Sequence, residues 1–234
     1  MRATARTAVQ SPDPRRIRAV HRRLRREQGG FTAKPRMPAV DELIATVLSQ
    51  HTSDRNTERA FAGLKARFPS WEAVVDAPTS EVADAIRSGG LADAKAPRIQ
   101  RMLAAIEERE GAIDLVRLDE LSDAEVEGYL TALPGVGPKT AACVLTFSMG
   151  RAAFPVDTHV HRLALRLGWL PPGATAEKAH RVLGPRVPPG IRYELHMALI
   201  KHGRTVCRAQ RPRCPECVLR DLCPTGSASG GSPS

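Results

Sequence analysis

Four of the five cysteines fall within seventeen residues, "CRAQRPRCPECVLRDLC", as Cys207, Cys214, Cys217 and Cys223 in the spacing C-x6-C-x2-C-x5-C. No other stretch restricts the chain so tightly, because this segment must curl until four sulfurs face one centre. Disulfides are not expected, since no apolar signal-peptide core lies near Met1. A tetrathiolate site remains, for zinc or for an iron–sulfur cluster. Zinc ribbons pair two C-x2-C knuckles across a longer gap, so the crowding here, combined with the hairpin motif below, favours iron–sulfur. The loop between the first two thiols carries Arg208, Arg211 and Arg213, a cationic surface suited to phosphates. Cys143 stands apart among Ala141, Ala142 and Val144 and is expected in the core.

Elsewhere apolar residues recur at spacings of three and four, as in Leu43, Ile44, Val47, Leu48 and in Val160, Leu163, Leu167. Alternating strand patterns are absent and no long period repeats. The spacing predicts an all-α chain of two helical lobes. Ser53, Ser70, Asp93 and Ser122 are the expected helix caps, and Gly89-Gly90, Gly111 and Gly150 the expected stops. Phe154-Pro155-Val156 marks the expected passage between lobes.

"LPGVGPKTAACVL", Leu133 to Leu145, resembles a nucleotide-binding phosphate loop at first sight. Pro138 precedes Lys139 where that loop needs glycine, and "VEGYLTAL" upstream is helical rather than a strand, so an NTPase is excluded. What remains is helix, tight turn, helix. Gly135 and Gly137 give the turn its freedom and a close approach to a ligand, and Pro138 suits the first helical position. The N–H groups there can hold a DNA phosphate without reading sequence. Eighteen positions after Lys139, Asp157 stands directly before another helix, where it is an N-cap and also a carboxylate within reach of a nucleophilic lysine.

The formal charge is +10 with a pI near 10.0, and 29 of the 35 Lys and Arg residues are arginine. That balance suits a polyanionic partner, nucleic acid first. No apolar run reaches the ~20 residues of a membrane span. The first thirty residues hold nine arginines, and "RRIRAVHRRLRREQ" sets Ile17, Val20 and Leu24 on one helical face, a basic helix that docks on the body after a frayed start. Residues 226–234, "GSASGGSPS", read as a disordered tail.

LPGVGPKT, then VDTH, then HGRTVC leading into the four cysteines, resembles endonuclease III of the helix-hairpin-helix DNA glycosylases, over roughly residues 31–224. The resemblance implies a basic N-terminal segment, 1–30, packing on a cluster lobe of 152–225, a six-helix barrel lobe of 31–151 carrying the hairpin, and DNA in the groove between lobes. It implies a 4Fe-4S cluster on the four cysteines, structural or DNA-sensing rather than catalytic. Lys139 then matches the lysine that attacks C1′ of a flipped-out nucleotide, and Asp157 the carboxylate that assists it. Gly135, Val136, Gly137 and Thr140 fall on the DNA-contacting hairpin, with Arg208, Arg211 and Arg213 on a second DNA-contacting loop. Leu91 in "SGGLADAK" matches a leucine wedge that fills the space of the flipped base. In "LSQHTSD" the alignment on Asp54 sets His51 where the family has glutamine, with Gln50 one residue earlier, so either is the opposing wedge.

The implied activity is base excision with AP lyase cleavage, on oxidised pyrimidines in double-stranded DNA or on AP sites. A monomer in a bacterial cytoplasm, associated with the nucleoid through DNA and with no membrane, is the implied setting. The alternatives are a non-catalytic or lyase-only AP-site-binding protein on the same scaffold, and a MutY-type adenine glycosylase, a group that lacks the lysine.

Overall fold

The computed structural model describes residues 12–32 and 37–228. Among them the backbone is helical with loops and carries no strand, the all-α class that the sequence spacing predicts. The chain divides into two compact units, a central one spanning Lys34–Arg151 and a terminal one joining the residues before it to those from Ala152 onward. The terminal unit opens with α1 (Pro14–Gln28). The Asp13 side chain accepts from the Arg15 amide at 2.9 Å, Pro14 occupies the first turn, and Gly29 at φ 79° closes the helix. Ile17, Val20 and Leu24 are buried in the unit's core. The stretch expected to fray ahead of the helix, up to Ser11, lies outside the described residues.

The central unit contains α2 (Ala39–Leu48), α3 (Asp54–Arg67), α4 (Trp71–Asp76), α5 (Thr79–Ala85), α6 (Ala92–Glu110), α7 (Asp123–Thr131) and α8 (Pro138–Cys143). The hydroxyls of Ser53 and Ser70 cap α3 and α4, and Ser122 forms a reciprocal capping box with Glu125 at the start of α7. Asp93 does not cap α6. Leu91 holds the cap position in a left-handed conformation, and Asp93 falls in the first turn, where its charge complements the helix dipole. The core is Leu43, Ile44, Val47 and Leu48 of α2 with Leu64, Ile99, Met102, Leu103, Ile106 and Leu130, all fully buried. Arg151 closes the unit, its guanidinium donating to the carbonyls of Leu121 at 2.6 Å and Leu118 at 2.9 Å. The division between the units falls at Arg151–Ala152, two residues before Phe154-Pro155-Val156. Phe154 and Val156 are already buried in the terminal core, which is why their apolar character does not mark a linker.

The terminal unit continues with α9 (Thr158–Arg166), α10 (Ala176–Arg186), α11 (Arg192–Thr205) and α12 (Pro224–Ala228). Val160, Leu163, Leu195 and Leu199 complete the core that α1 enters. His21 of α1 lies 2.8 Å from the Glu194 carboxylate on α11, so a polar pair sits beside the apolar contact. Residues 226–228 are not a disordered tail: they end α12, whose Ser227 amide donates to the Cys223 carbonyl at 2.9 Å. Residues 229–234 lie outside the described residues.

Candidate nucleic-acid interface and thiol centre

The turn between α7 and α8 follows from its residues. Gly135 sits at φ 76°, and a Cβ there would run into the Arg98 side chain, so two constraints select glycine. Gly137 is different: at φ −103° it is ordinary extended backbone, with open space where a Cβ would go. Its bareness is therefore not required by the fold and leaves room for an approaching ligand. Gly135→Ala is expected to cost about 1–2 kcal/mol, while Gly137→Ala costs near zero and weakens DNA binding instead. Thermal unfolding beside a DNA titration separates the two. Val136 and Thr140 are buried at 6% and 3% exposure, so their side chains anchor the turn inward and leave only their backbone for a ligand. Lys139 is half-buried in the first turn of α8, and Ala141, Ala142 and Cys143 behind it pack into the core.

Two further turns carry exposed side chains in conformations that non-glycine residues avoid. After α2, His51 is exposed at φ 55°. Before α6, Leu91 is 59% exposed at φ 52°. A leucine both solvent-facing and left-handed has no structural reward, which is the pattern of strain held for a function. Gln50 is not free in the same way, since its Oε1 accepts from Arg98 Nη1 at 2.9 Å. Arg98 also donates to the Gly135 carbonyl, so it joins the turn after α2 to the hairpin. Lys95, 4% exposed, donates to the carbonyls of Leu48 at 2.8 Å and Gly89 at 2.9 Å. Burial holds both the Lys95 and Arg98 cations below their ordinary pKa ranges. Neither residue stands out in the sequence, because their partners are backbone groups or an amide up to 48 positions away.

In the terminal unit Asp157 caps α9, its Oδ1 accepting from the Val160 amide at 2.7 Å. The far end of the same helix reaches the cysteines. Arg166 Nη1 lies 3.2 Å from Cys207 Sγ and donates to the Arg208 carbonyl at 2.7 Å, while Nη2 donates to the Ala209 carbonyl at 2.9 Å. Arg162 donates to the carbonyls of Gly203 at 2.9 Å and Cys207 at 3.0 Å. These arginines fix the base of the loop on which Arg208 and Arg211 are exposed. Arg213, with its side chain partly exposed, is tied back by Glu216 at 3.0 Å and the Thr205 carbonyl at 3.1 Å.

Cys207, Cys214, Cys217 and Cys223 all line one recess, with Val206, Pro212 and Arg166 among its walls. Donors point at the sulfurs: the Leu219 amide at Cys217 Sγ and the Gly226 amide at Cys223 Sγ, each at 3.4 Å, and His202 Nε2 at 3.3 Å from Cys217 Sγ. Burial pushes the Cys217 thiol up to about 11 and raises Cys223 as well, a penalty on the thiolate that a positive centre among them would offset. Burial also lowers His202 to about 4, so its ring is neutral and can present Nε2–H to sulfur. Four thiols lining one recess, with N–H donors behind them, form a donor set of the kind a tetrathiolate centre needs.

The family model for HhH-GPD superfamily base excision DNA repair proteins matches residues 44–189. Endonuclease III of Thermotoga maritima is 35% identical over 77% of this chain and 80% of its own. The chain belongs to the endonuclease III family of HhH-GPD proteins. An Arabidopsis thaliana protein named as a candidate DNA glycosylase is 41% identical over 70% of this chain, which spans only 56% of that relative's length. A solved endonuclease III structure, a trapped covalent intermediate with DNA, superposes with a TM-score of 0.79 at 28% identity, covering 93% of this chain and 99% of that one. The family-model match ends before Cys207, whereas the superposed structure spans 93% of the chain.

Proposed function

We propose that this protein is a DNA glycosylase and AP lyase that removes oxidised pyrimidines from duplex DNA, acting as a monomer. The observation that carries the reading is Lys139, an amine in the first turn of α8 two residues after the bare Gly137. The trapped covalent intermediate of the related structure supports a nucleophile of this kind. In the proposed reaction Lys139 Nζ attacks C1′ of an extruded nucleotide, the N-glycosidic bond breaks, and the base leaves with its electron pair and takes up a proton. Loss of an amine proton and opening of the sugar give a Schiff base. Removal of a C2′ proton then expels the 3′ phosphate by β-elimination. Asp157 stabilises positive charge developing on the sugar. Leu91 and His51 fill the vacated space, His51 rather than Gln50 because the Gln50 amide is engaged by Arg98.

Cys207, Cys214, Cys217 and Cys223 would hold a 4Fe-4S cluster, which supplies cross-linking and charge rather than a reaction step. Arg208 and Arg211 on its loop contact phosphates. The test of the whole reading is incubation with a thymine-glycol duplex and borohydride, which reduces the Schiff base to a stable protein–DNA adduct; no adduct would remove the lyase.

Asp157 allows stability and activity to be told apart. Asparagine caps a helix about as well as aspartate, whereas Asp157→Ala forfeits about 1 kcal/mol of cap. Asp157→Asn is expected to keep the melting temperature and lose about a hundredfold in base excision. Equal melting losses in both variants would show that the capping account is wrong.

A further inference from the structure

We propose that Lys95 and Arg98 are positioning residues that lock three turns, at Gln50–His51, at Leu91 and at Gly135, into one preassembled edge for entering duplex DNA. The two side chains lie three residues apart on α6, on the same face of that helix. Their partners are distributed among the turns. Lys95 takes the carbonyls of Leu48 and Gly89, three residues before His51 and two before Leu91. Arg98 takes the side-chain oxygen of Gln50 and the carbonyl of Gly135. Four acceptors from three separate turns are thus held by two heads on one rigid helix.

Packing alone would not place these cations here. Burying an ammonium at 4% exposure is costly, and an apolar residue at position 95 would fill the core of a helical bundle more cheaply. Carbonyls at the ends of α2 and of the short turn before Gly90 do need donors, but other helix ends here are satisfied by their own chain, as Gly111 N does for Glu107. The cations sit instead where the backbone is under tension. His51 and Leu91 are both left-handed and both exposed, and such conformations persist only when their surroundings over-determine them. Lys95 supplies that surplus for both turns at once. Freed from it, either turn can relax to an ordinary conformation and turn its side chain away from the duplex. Arg98 then sets the register of this pair against the hairpin, since the same guanidinium touches Gln50 and Gly135.

The inference rests on the glycosylase and lyase reading for its substrate, and its test is arranged so that the two can fail separately. A wedge is needed to extrude a nucleotide from a duplex and not from a single strand. Borohydride trapping at an abasic site is therefore compared on duplex and single-stranded forms of one oligonucleotide, for the whole protein and for Lys95→Met and Arg98→Met. In parallel, 2-aminopurine beside a tetrahydrofuran abasic analogue reports unstacking without any chemistry. The ratio of duplex to single-strand trapping is expected to fall about tenfold or more in each variant, with a matching loss of 2-aminopurine signal. Leu91→Ala added to Lys95→Met should then cost far less than Leu91→Ala alone. An equal fall on both substrates, or an unchanged ratio, overturns the proposal. Arg98→Met removes a half-buried head and carries the same test should Lys95→Met fail to fold. A wild-type protein that unstacks 2-aminopurine without trapping DNA sinks the lyase reading while the fluorescence still judges the positioning pair. One that does neither overturns both.

Discussion

Replacing Lys139 by alanine is expected to abolish borohydride trapping and to slow base release by at least about a thousandfold, the scale on which removal of a covalent nucleophile acts. The fold should be indifferent. Lys139 is half-buried, no hydrogen bond from its side chain to the described residues supports the hairpin, and alanine is the better helix former, so the stability change stays within about 0.5 kcal/mol. Binding to a duplex with an uncleavable abasic analogue should weaken only by the loss of one cation, and more so at low salt. This combination is what separates a nucleophile from a phosphate contact. Adduct formation that survived the substitution would move the reaction to another amine. Lys95 would be a poor substitute, since its ammonium is buried and committed to two carbonyls.

The second large effect concerns the thiol centre. Cys217→Ser removes the sulfur that His202 and the Leu219 amide both address, and the cluster proposed for this site should be lost. The expected protein is colourless where the wild type is brown, with its iron content, four per chain when loaded, falling to near zero. Unfolding of the terminal unit should become easier by about 3 kcal/mol or more, because the cross-link through four sulfurs is lost and only hydrogen bonds and packing still hold the Cys207–Cys223 segment. Its second half is braced by α1, through Arg23 to Asp221 and to the Val218 carbonyl, and through Arg16 to the Leu222 carbonyl. The first half leans on Arg162, Arg166 and Arg213. Arg208 and Arg211 should therefore lose their placement, and DNA affinity should fall by about tenfold at physiological salt. A wild-type protein that is colourless and carries zinc would refute the cluster and leave the tetrathiolate in place.

How far the residues alone disclose this molecule follows the range of the interactions. Caps act within three residues, so Ser53, Ser70 and Ser122 can be read directly. Asp93 misleads because Leu91, two positions earlier, takes the cap site in a conformation that nothing local rewards. The four cysteines are legible as a set because their spacing is itself the signal. Lys95, Arg98, Arg166 and His202 are not, since each meets a carbonyl, amide or sulfur brought near only by the fold. The turn at Gly135 and Gly137 is legible as a turn. That one glycine answers to backbone strain and Arg98, and the other to neither, emerges only from the backbone angles and the space around them.

One consequence of the divided terminal unit concerns the order of synthesis. Ile17, Val20 and Leu24 leave the ribosome before their partners from Val160 to Leu219, which follow more than a hundred residues later. At a translation rate of ~5–20 residues per second, α1 waits on the order of ten seconds with its apolar stripe uncovered, while the central unit can already collapse behind it. The arginines of α1 are suited to that interval. Charge on the outer face of a lone amphipathic helix discourages it from pairing with another nascent chain. The basic character of α1 is thus suited to the newborn chain, independently of any contact that face makes with DNA.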